Sequence, residues 1–166
     1  MTVYDKIRAS YQIAKKIQPF QGKLIAFDPG ETTGVSHWVV TPAQVFLRRS
    51  TQVKTWPIDQ AVKHLAGEIS QTKPDAIVFE SYQVYEWKKD EHSWSQIPTV
   101  QVIGCLQTLC IQQDIPYFTQ TAQIAKGFVT DEKLKDWGFY ERGQRHARDS
   151  MRHALYFLLF GPKKDA

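Results

Sequence analysis

Cysteine is scarce in this chain, with two among 166 residues. Cys105 and Cys110 lie five apart in one stretch of helical pattern, a spacing that suits neither a zinc site nor a disulfide framework. The expected compartment is therefore reducing and cytoplasmic. Long apolar runs are missing too. None approaches the roughly 18 residues of a membrane span, and the opening MTVYDKIRASYQIAKKIQPFQG lacks the apolar centre of a signal peptide. It reads instead as a short amphipathic helix over 1–20. Tyr4, Ile7, Tyr11 and Ala14 share one face at helical spacing, while Ile13 and Ile17 fall on another side. There is no internal repeat, low-complexity tract or long linker, so a single domain over 1–166 is expected.

Neither charge sign dominates. Lys and Arg total 21 against 17 Asp and Glu, a net charge of +4. That modest excess favours a polyanionic partner without requiring one. What is present in quantity is core material. The 42% hydrophobic and 13% aromatic content excludes a disordered chain, and the length suffices for a normal core.

The apolar runs place the elements. Strands are expected near Lys23–Asp28, Gly34–Val40 and Gln44–Ser50. In TWPIDQAVKHLAGEISQTKP the residues Ile58, Val62, Leu65, Ala66 and Ile69 recur at helical spacing, and Lys73-Pro74 stops the helix. DAIVFES is a buried strand. A long helix spans Thr99–Gln113, with Val100, Ile103, Leu106, Cys110 and Ile111 as its inward residues. IPYFTQ is a short strand, TAQIAKGFVT a short helix, and GQRHARDSMRHALYFLLF the last helix. Hairpin strands followed by alternating helix and strand imply an α/β fold, a mixed sheet with helices on both faces. The C-terminal ends of its parallel strands form the usual site of such folds.

Two strands end in acids. LIAFDPGETTGVSHWVV runs apolar from Leu24 to Phe27, surfaces at Asp28, turns at Pro29-Gly30 and resumes at Gly34. An isolated Asp-Pro-Gly is ordinary turn chemistry. DAIVFESY repeats the pattern, with Glu80 ending the strand. If the two strands are parallel neighbours, Asp28 and Glu80 meet at one sheet edge. Their repulsion then calls for a cation between them, and carboxylates suit Mg²⁺. At about 100° per residue, Ala147, Met151, Ala154, Leu155 and Leu158 form the inward face of the last helix. Arg145, Arg148 and Arg152 form a second stripe, and His146, Asp149 and His153 a third. His146 and Asp149, three apart, are neighbours able to bind one ion, whereas His153 lies a turn further, at the periphery. A polar stripe of this kind is also what a solvated helix face looks like.

Three separated pieces together resemble the RuvC-type Holliday junction resolvases of the ribonuclease H-like nuclease superfamily. IAFDPGETTG is similar to that family's first strand and turn, with Asp28 as its first acid. AIVFES is similar to the strand carrying the second acid, Glu80. RHARDSMRHAL is similar to the C-terminal helix, where the last two metal-site residues lie three apart, here as His146 and Asp149. TAQIAKGFVT is similar to the segment in which a Lys precedes Val-Thr, which implies a phosphate role for Lys126. The resemblance runs from about Lys23 to Phe160. The leading helix precedes the family's usual start. DEKLKDWGFYERG, after Thr130, is more acidic and aromatic than the family's Gly-rich basic loop. The compact, divergent form resembles a viral or phage version.

The resemblance implies a ribonuclease H-like fold and metal-assisted phosphodiester hydrolysis of four-way junction DNA, with paired symmetric cuts. Two Mg²⁺ ions about 4 Å apart would activate a water and stabilise the leaving oxygen. Asp28 would bridge both, Glu80 would hold one, and His146 with Asp149 would hold the other. Imidazole tolerates softer metals than Mg²⁺, so activity with Mn²⁺ is expected as well. With Asp28, Glu80 and Asp149 neutralised, the net charge of +4 becomes +7. Lys126, Lys133, Lys135, Arg142, Arg145 and Arg148 are candidate phosphate contacts, which position rather than specify. Tyr82 and Tyr85 are alternative candidates for stacking on opened bases. Trp87 and Trp94 read as packing residues. Two symmetric cuts imply a two-fold homodimer, for which Thr99–Gln113 is a candidate interface, although core packing explains its apolar face equally well.

Three other readings use the same residues. A related nuclease acting on other branched DNA or on RNA–DNA hybrid would share the acids. A non-catalytic DNA-binding domain would not need all four ligands. DPGETTG also resembles the phosphate-binding turn of actin-like and sugar-kinase ATPases, but that fold needs two domains and further phosphate loops. No small-molecule substrate and no membrane are expected.

Overall fold

The computed structural model describes residues 20–82 and 97–161. The expected helix at the N-terminus, Tyr85, Trp87 and Trp94 lie outside the described residues. Ten elements follow in order: β1 (Gly22–Asp28), β2 (Thr32–Val40), β3 (Val45–Lys54), α1 (Ile58–Thr72), β4 (Ala76–Ser81), α2 (Pro98–Gln112), β5 (Tyr117–Thr121), α3 (Ala122–Phe128), α4 (Asp131–Asp136) and α5 (Arg145–Phe160).

The strands form one mixed sheet in the order β3-β2-β1-β4-β5. The first three are antiparallel, while β4 runs parallel to β1 and β5 parallel to β4. The expected parallel pairing is present, with Phe27 opposite Phe79, so Asp28 and Glu80 are the next residues along two adjacent strands.

Successive side chains of a strand point to opposite faces. Leu24, Ala26, Trp38, Val40 and Val78 pack beneath α3, α4 and α5, and Ile25, Phe27, Val35, Ile77 and Phe79 pack beneath α1 and α2. Burial on both faces explains why LIAF and AIVF read as continuous apolar runs rather than alternating ones. It also sets a parity. Asp28 continues the series of Leu24 and Ala26, and Glu80 that of Ala76 and Val78. Both acids therefore point to the α5 side. The opposite layer carries one buried polar network. His37 Nε2 lies 2.6 Å from Glu68 Oε2, the Thr72 hydroxyl lies 2.8 Å from His37 Nδ1, and Arg49 Nη1 donates to Glu68 across 3.1 Å.

Three expectations change. The inward face of α2 is Val102, Leu106 and Cys110, with Ile103 partly buried, whereas Val100 and Ile111 face outward. A shift of two positions turns a helix face by about 200°, and the apolar residues of α2 are too evenly spread to fix its facing. Val62 of α1 is exposed for the same reason. Finally, DEKLKD, read as a loop, is the short helix α4. Thr130 caps it, its hydroxyl accepting from Lys133 N, with Asp131 and Glu132 in the first turn, a favourable start for a helix. No described helix is long and apolar enough to cross a membrane.

Candidate metal centre

The site is assembled where β1, β4 and β5 end beneath α5. Asp28 is held at the mouth of a stitched turn. Thr33 Oγ1 accepts from Gly30 N at 3.3 Å and meets Thr55 Oγ1 at 2.7 Å, and the Thr55 hydroxyl donates to Gly30 O at 2.6 Å. The two buried threonines thus fix the Pro29-Gly30 turn from below and leave Asp28 facing α5. Gly34, paired with Asp28 across the hairpin, lies directly under the start of α5. A Cβ there would overlap the His146 carbonyl, so only glycine lets the helix approach. Gln52 on β3 completes the mooring, its side-chain oxygen accepting from His146 N at 2.9 Å. This satisfies one of the unpaired N–H groups at the helix start.

Of the four candidate ligands, Asp28, Glu80 and Asp149 meet at the Lys126 ammonium, and His146 touches Asp28 alone. His146 Nδ1 is 2.9 Å from Asp28 Oδ2. The Lys126 ammonium is 2.9 Å from Asp28 Oδ1, 2.7 Å from Glu80 Oε2 and 3.4 Å from Asp149 Oδ2. Lys126 had been expected as a phosphate contact; here it stands at the centre of the acids. Asp149 is oriented by Arg152, whose Nε donates to Asp149 Oδ1 at 3.0 Å. The same guanidinium also bonds Val129 O and Asp131, pinning α5 to the loop between α3 and α4.

His153 requires a correction. It is not peripheral but fully buried at the site. Its Nε2 lies 3.2 Å from Glu80 Oε2 and its Nδ1 3.1 Å from Gln120 Oε1. Ligand atoms of Asp28, Glu80 and His153 all fall within 4.8 Å of one another. Gln120 shares the parity of Phe118, which packs on the α5 side, so α5 must meet β5 as well as β1.

The electrostatics follow from burial and partners. Burial pushes the Asp28 carboxyl above its ordinary value, with the Glu80 charge adding to the effect, and Lys126 and His146 only partly offset this. Burial acts on Glu80 in the same direction, but the hydrogen bonds from His153 and Lys126 outweigh it and hold Glu80 down at about 2. Burial alone would lower Lys126; Asp28 and Glu80 override it and keep the ammonium charged. An ammonium gripped by three carboxylate oxygens is a stand-in for a cation. Hard oxygen donors beside imidazole nitrogens are a donor set that Mg²⁺ and Mn²⁺ accept.

The other candidates lie around this centre. Arg145, Arg148 and Arg152 line a cavity of about 510 Å³ together with Lys126, Asp149, Thr130 and Asp131. Arg148 also donates to Glu141 O at 2.7 Å and lies over the Tyr140 ring. Arg142 is exposed just before α5. Lys133 and Lys135 are not at the centre. Lys133 donates to Phe128 O at 2.7 Å over the Phe128 ring, and Lys135 sits 4.8 Å from the Tyr140 ring centroid. Tyr82 is half-buried directly after β4.

No protein-family model and no curated protein matches the chain. Solved structures do. T. thermophilus RuvC in complex with Holliday junction substrate superposes with a TM-score of 0.66 at 16% identity, over 83% of this chain and 94% of that one. The fowlpox virus Holliday junction resolvase gives 0.54 at 11%, over 82% and 97%. The yeast mitochondrial Holliday junction resolvase Ydc2 gives 0.53 at 14%, over 93% and 86%. The chain has the RuvC-like, ribonuclease H-like fold.

Proposed function

We propose that the protein is a metal-dependent, structure-selective endonuclease that resolves four-way DNA junctions by paired phosphodiester hydrolysis. The observation that carries this reading is the gathering of Asp28, Glu80 and Asp149 around one cation position at the strand ends, with His146 on the other oxygen of Asp28. The fold and the substrate named for its structural neighbour support the choice of junction DNA. Asp28, Glu80, His146 and Asp149 are assigned as ligands of Mg²⁺ or Mn²⁺, two ions per site. When bound, the metal supplies an activated water and charge stabilisation at the leaving oxygen.

The chain's own residues do the rest. β1 and β4 hold Asp28 and Glu80 on rigid backbone, His153 and Arg152 orient Glu80 and Asp149, and the arginine-lined cavity receives the phosphate backbone beside the acids. The nuclease domain is taken as residues 1–166. Its working state is a homodimer, because two symmetric cuts need two sites related by a two-fold axis. The free thiols of Cys105 and Cys110 fit a reducing cytoplasm.

The test is cleavage of a synthetic four-way junction in Mg²⁺ or Mn²⁺, beside duplex, flap and RNA–DNA hybrid controls. Wild type is expected to make paired symmetric nicks confined to the junction in either metal. Asp28→Asn should lose at least about a hundredfold in rate, as befits a metal ligand. Preferential cutting of the hybrid or of any branched DNA would move the protein to a neighbouring nuclease class. Tight binding without cleavage in any metal would leave a junction-binding protein.

A further inference from the structure

Lys126 occupies the space a metal would need. Its Nζ is within 2.9 Å of both Asp28 Oδ1 and Glu80 Oε2. A divalent ion sharing those oxygens at about 2.1 Å and the ammonium cannot be there together. The two cations exclude each other by overlap and by charge. Lys126 has somewhere else to go. Its side chain is about a third exposed, and it lines the 510 Å³ cavity that also holds Arg145, Arg148 and Arg152. While Asp28 and Glu80 hold Lys126, that cavity sets Arg145, Arg148 and Arg152 against Asp131 and Asp149; a Lys126 turned into it would make four cationic side chains against two acids. Arg148 Nε, buried, has no hydrogen-bond partner among the described residues; Asp131 Oδ1 stands 3.9 Å away, beyond hydrogen-bond reach.

We propose that Lys126 is an exchangeable counter-ion: its ammonium holds the Asp28–Glu80 position until a divalent ion takes it, then turns into the arginine-lined cavity to bind a backbone phosphate. This rests on the endonuclease reading above. It deepens that reading by giving one residue two stations. The exchange needs only side-chain rotation, with no movement of α3. Before metal arrives, Lys126 relieves the repulsion among the two buried acids Asp28 and Asp149 and the partly buried Glu80 and keeps the site folded. After exchange, its charge is delivered next to Arg148. Binding of metal and of phosphodiester backbone then favour each other, by the reciprocity of linked equilibria.

Two measurements test this, both without reading catalysis. The first is calorimetric titration of DNA-free protein with Mg²⁺. Lys126→Gln removes the competing charge and should bind the ion about tenfold more tightly than wild type, within the usual range of site coupling. Lys126→Arg, which keeps the charge, should not. The second uses wild type alone, so it stands even if a variant misfolds. Reaction of lysines with an amine-reactive label is followed by mass spectrometry, with exposed Lys63 as internal reference. Mg²⁺ should raise the labelling of Lys126 relative to Lys63, and junction DNA added to the Mg²⁺-loaded protein should suppress it again. Equal Mg²⁺ affinity in wild type and Lys126→Gln, or labelling of Lys126 indifferent to Mg²⁺, overturns the exchange and leaves the endonuclease reading intact. Absence of Mg²⁺ binding in all three proteins overturns both.

Discussion

His146 and His153 are seven positions apart, and that interval organises the site. At about 1.5 Å per residue the helix advances roughly 10 Å, which is about two strand spacings of 4.8 Å. His146 starts over Gly34 on β2, Asp149 shares Lys126 with Asp28 on β1, and His153 reaches Glu80 on β4. One helix crossing the sheet edge thus lays its backbone over β2 and brings side chains to the acids that end β1 and β4. His153 should therefore matter to metal binding and not only to packing. His153→Ala is expected to weaken Mg²⁺ affinity about 10–100-fold, the usual cost of losing a group that orients a ligand. Calorimetry on the DNA-free protein checks this, and an unchanged affinity at intact fold would reduce His153 to a core residue. Asp28, Glu80, His146 and Asp149 were legible in the sequence because each ends an apolar strand or keeps helical spacing. His153 was not, since the crossing direction of α5 is a property of the sheet, not of the helix.

At the scale of elements, the same chemical change should act with opposite sign in two places. A Cβ at Gly34 would overlap the backbone of α5 at His146, and backbone cannot rotate aside. Gly34→Ala should therefore cost about 1–3 kcal/mol, as overpacked sites do, or roughly 2–12 °C in Tm for a chain of this size. Nicking should fall further than stability, because His146 and Asp149 travel with the displaced helix and small misplacements cost about a hundredfold. Gly67, inside α1, has open space around its Cβ position. Gly67→Ala should stabilise by about 0.5–1 kcal/mol through helix propensity. A paired thermal melt of the two variants, with junction nicking alongside, checks both. The sequence marked Gly34 as a strand start but could not show what lies above it. For α4 the cap was visible in Thr-Asp-Glu, yet an acidic, aromatic stretch with one short turn of helix carries too little periodicity to be told from a loop.

At the scale of the whole molecule, symmetric cutting asks for a second copy, and α2 offers a surface for one. Its core face, Val102, Leu106 and Cys110, is spent on the sheet. Val100 and Ile111 remain outside, 44% and 69% exposed. Eleven residues at about 100° each bring them back to within about 20° of one another, so they form a single outward stripe. Beside that stripe, about 40° and 80° round from Val100, lie Gly104 and Thr108, both exposed and small enough for another helix to approach closely. Across a two-fold axis each residue contributes twice. Burying Ile111 in both copies, at about 1.5–3 kcal/mol each, is then worth at least a hundredfold in dimer affinity. Ile111→Glu should abolish that gain and add repulsion between the two copies. Sedimentation velocity is expected to show a shift from dimer to monomer, with the fold and Mg²⁺ affinity unchanged. On a junction, the variant should lose paired symmetric cuts while keeping single nicks. A variant that stays dimeric and cuts in pairs would move the interface away from α2.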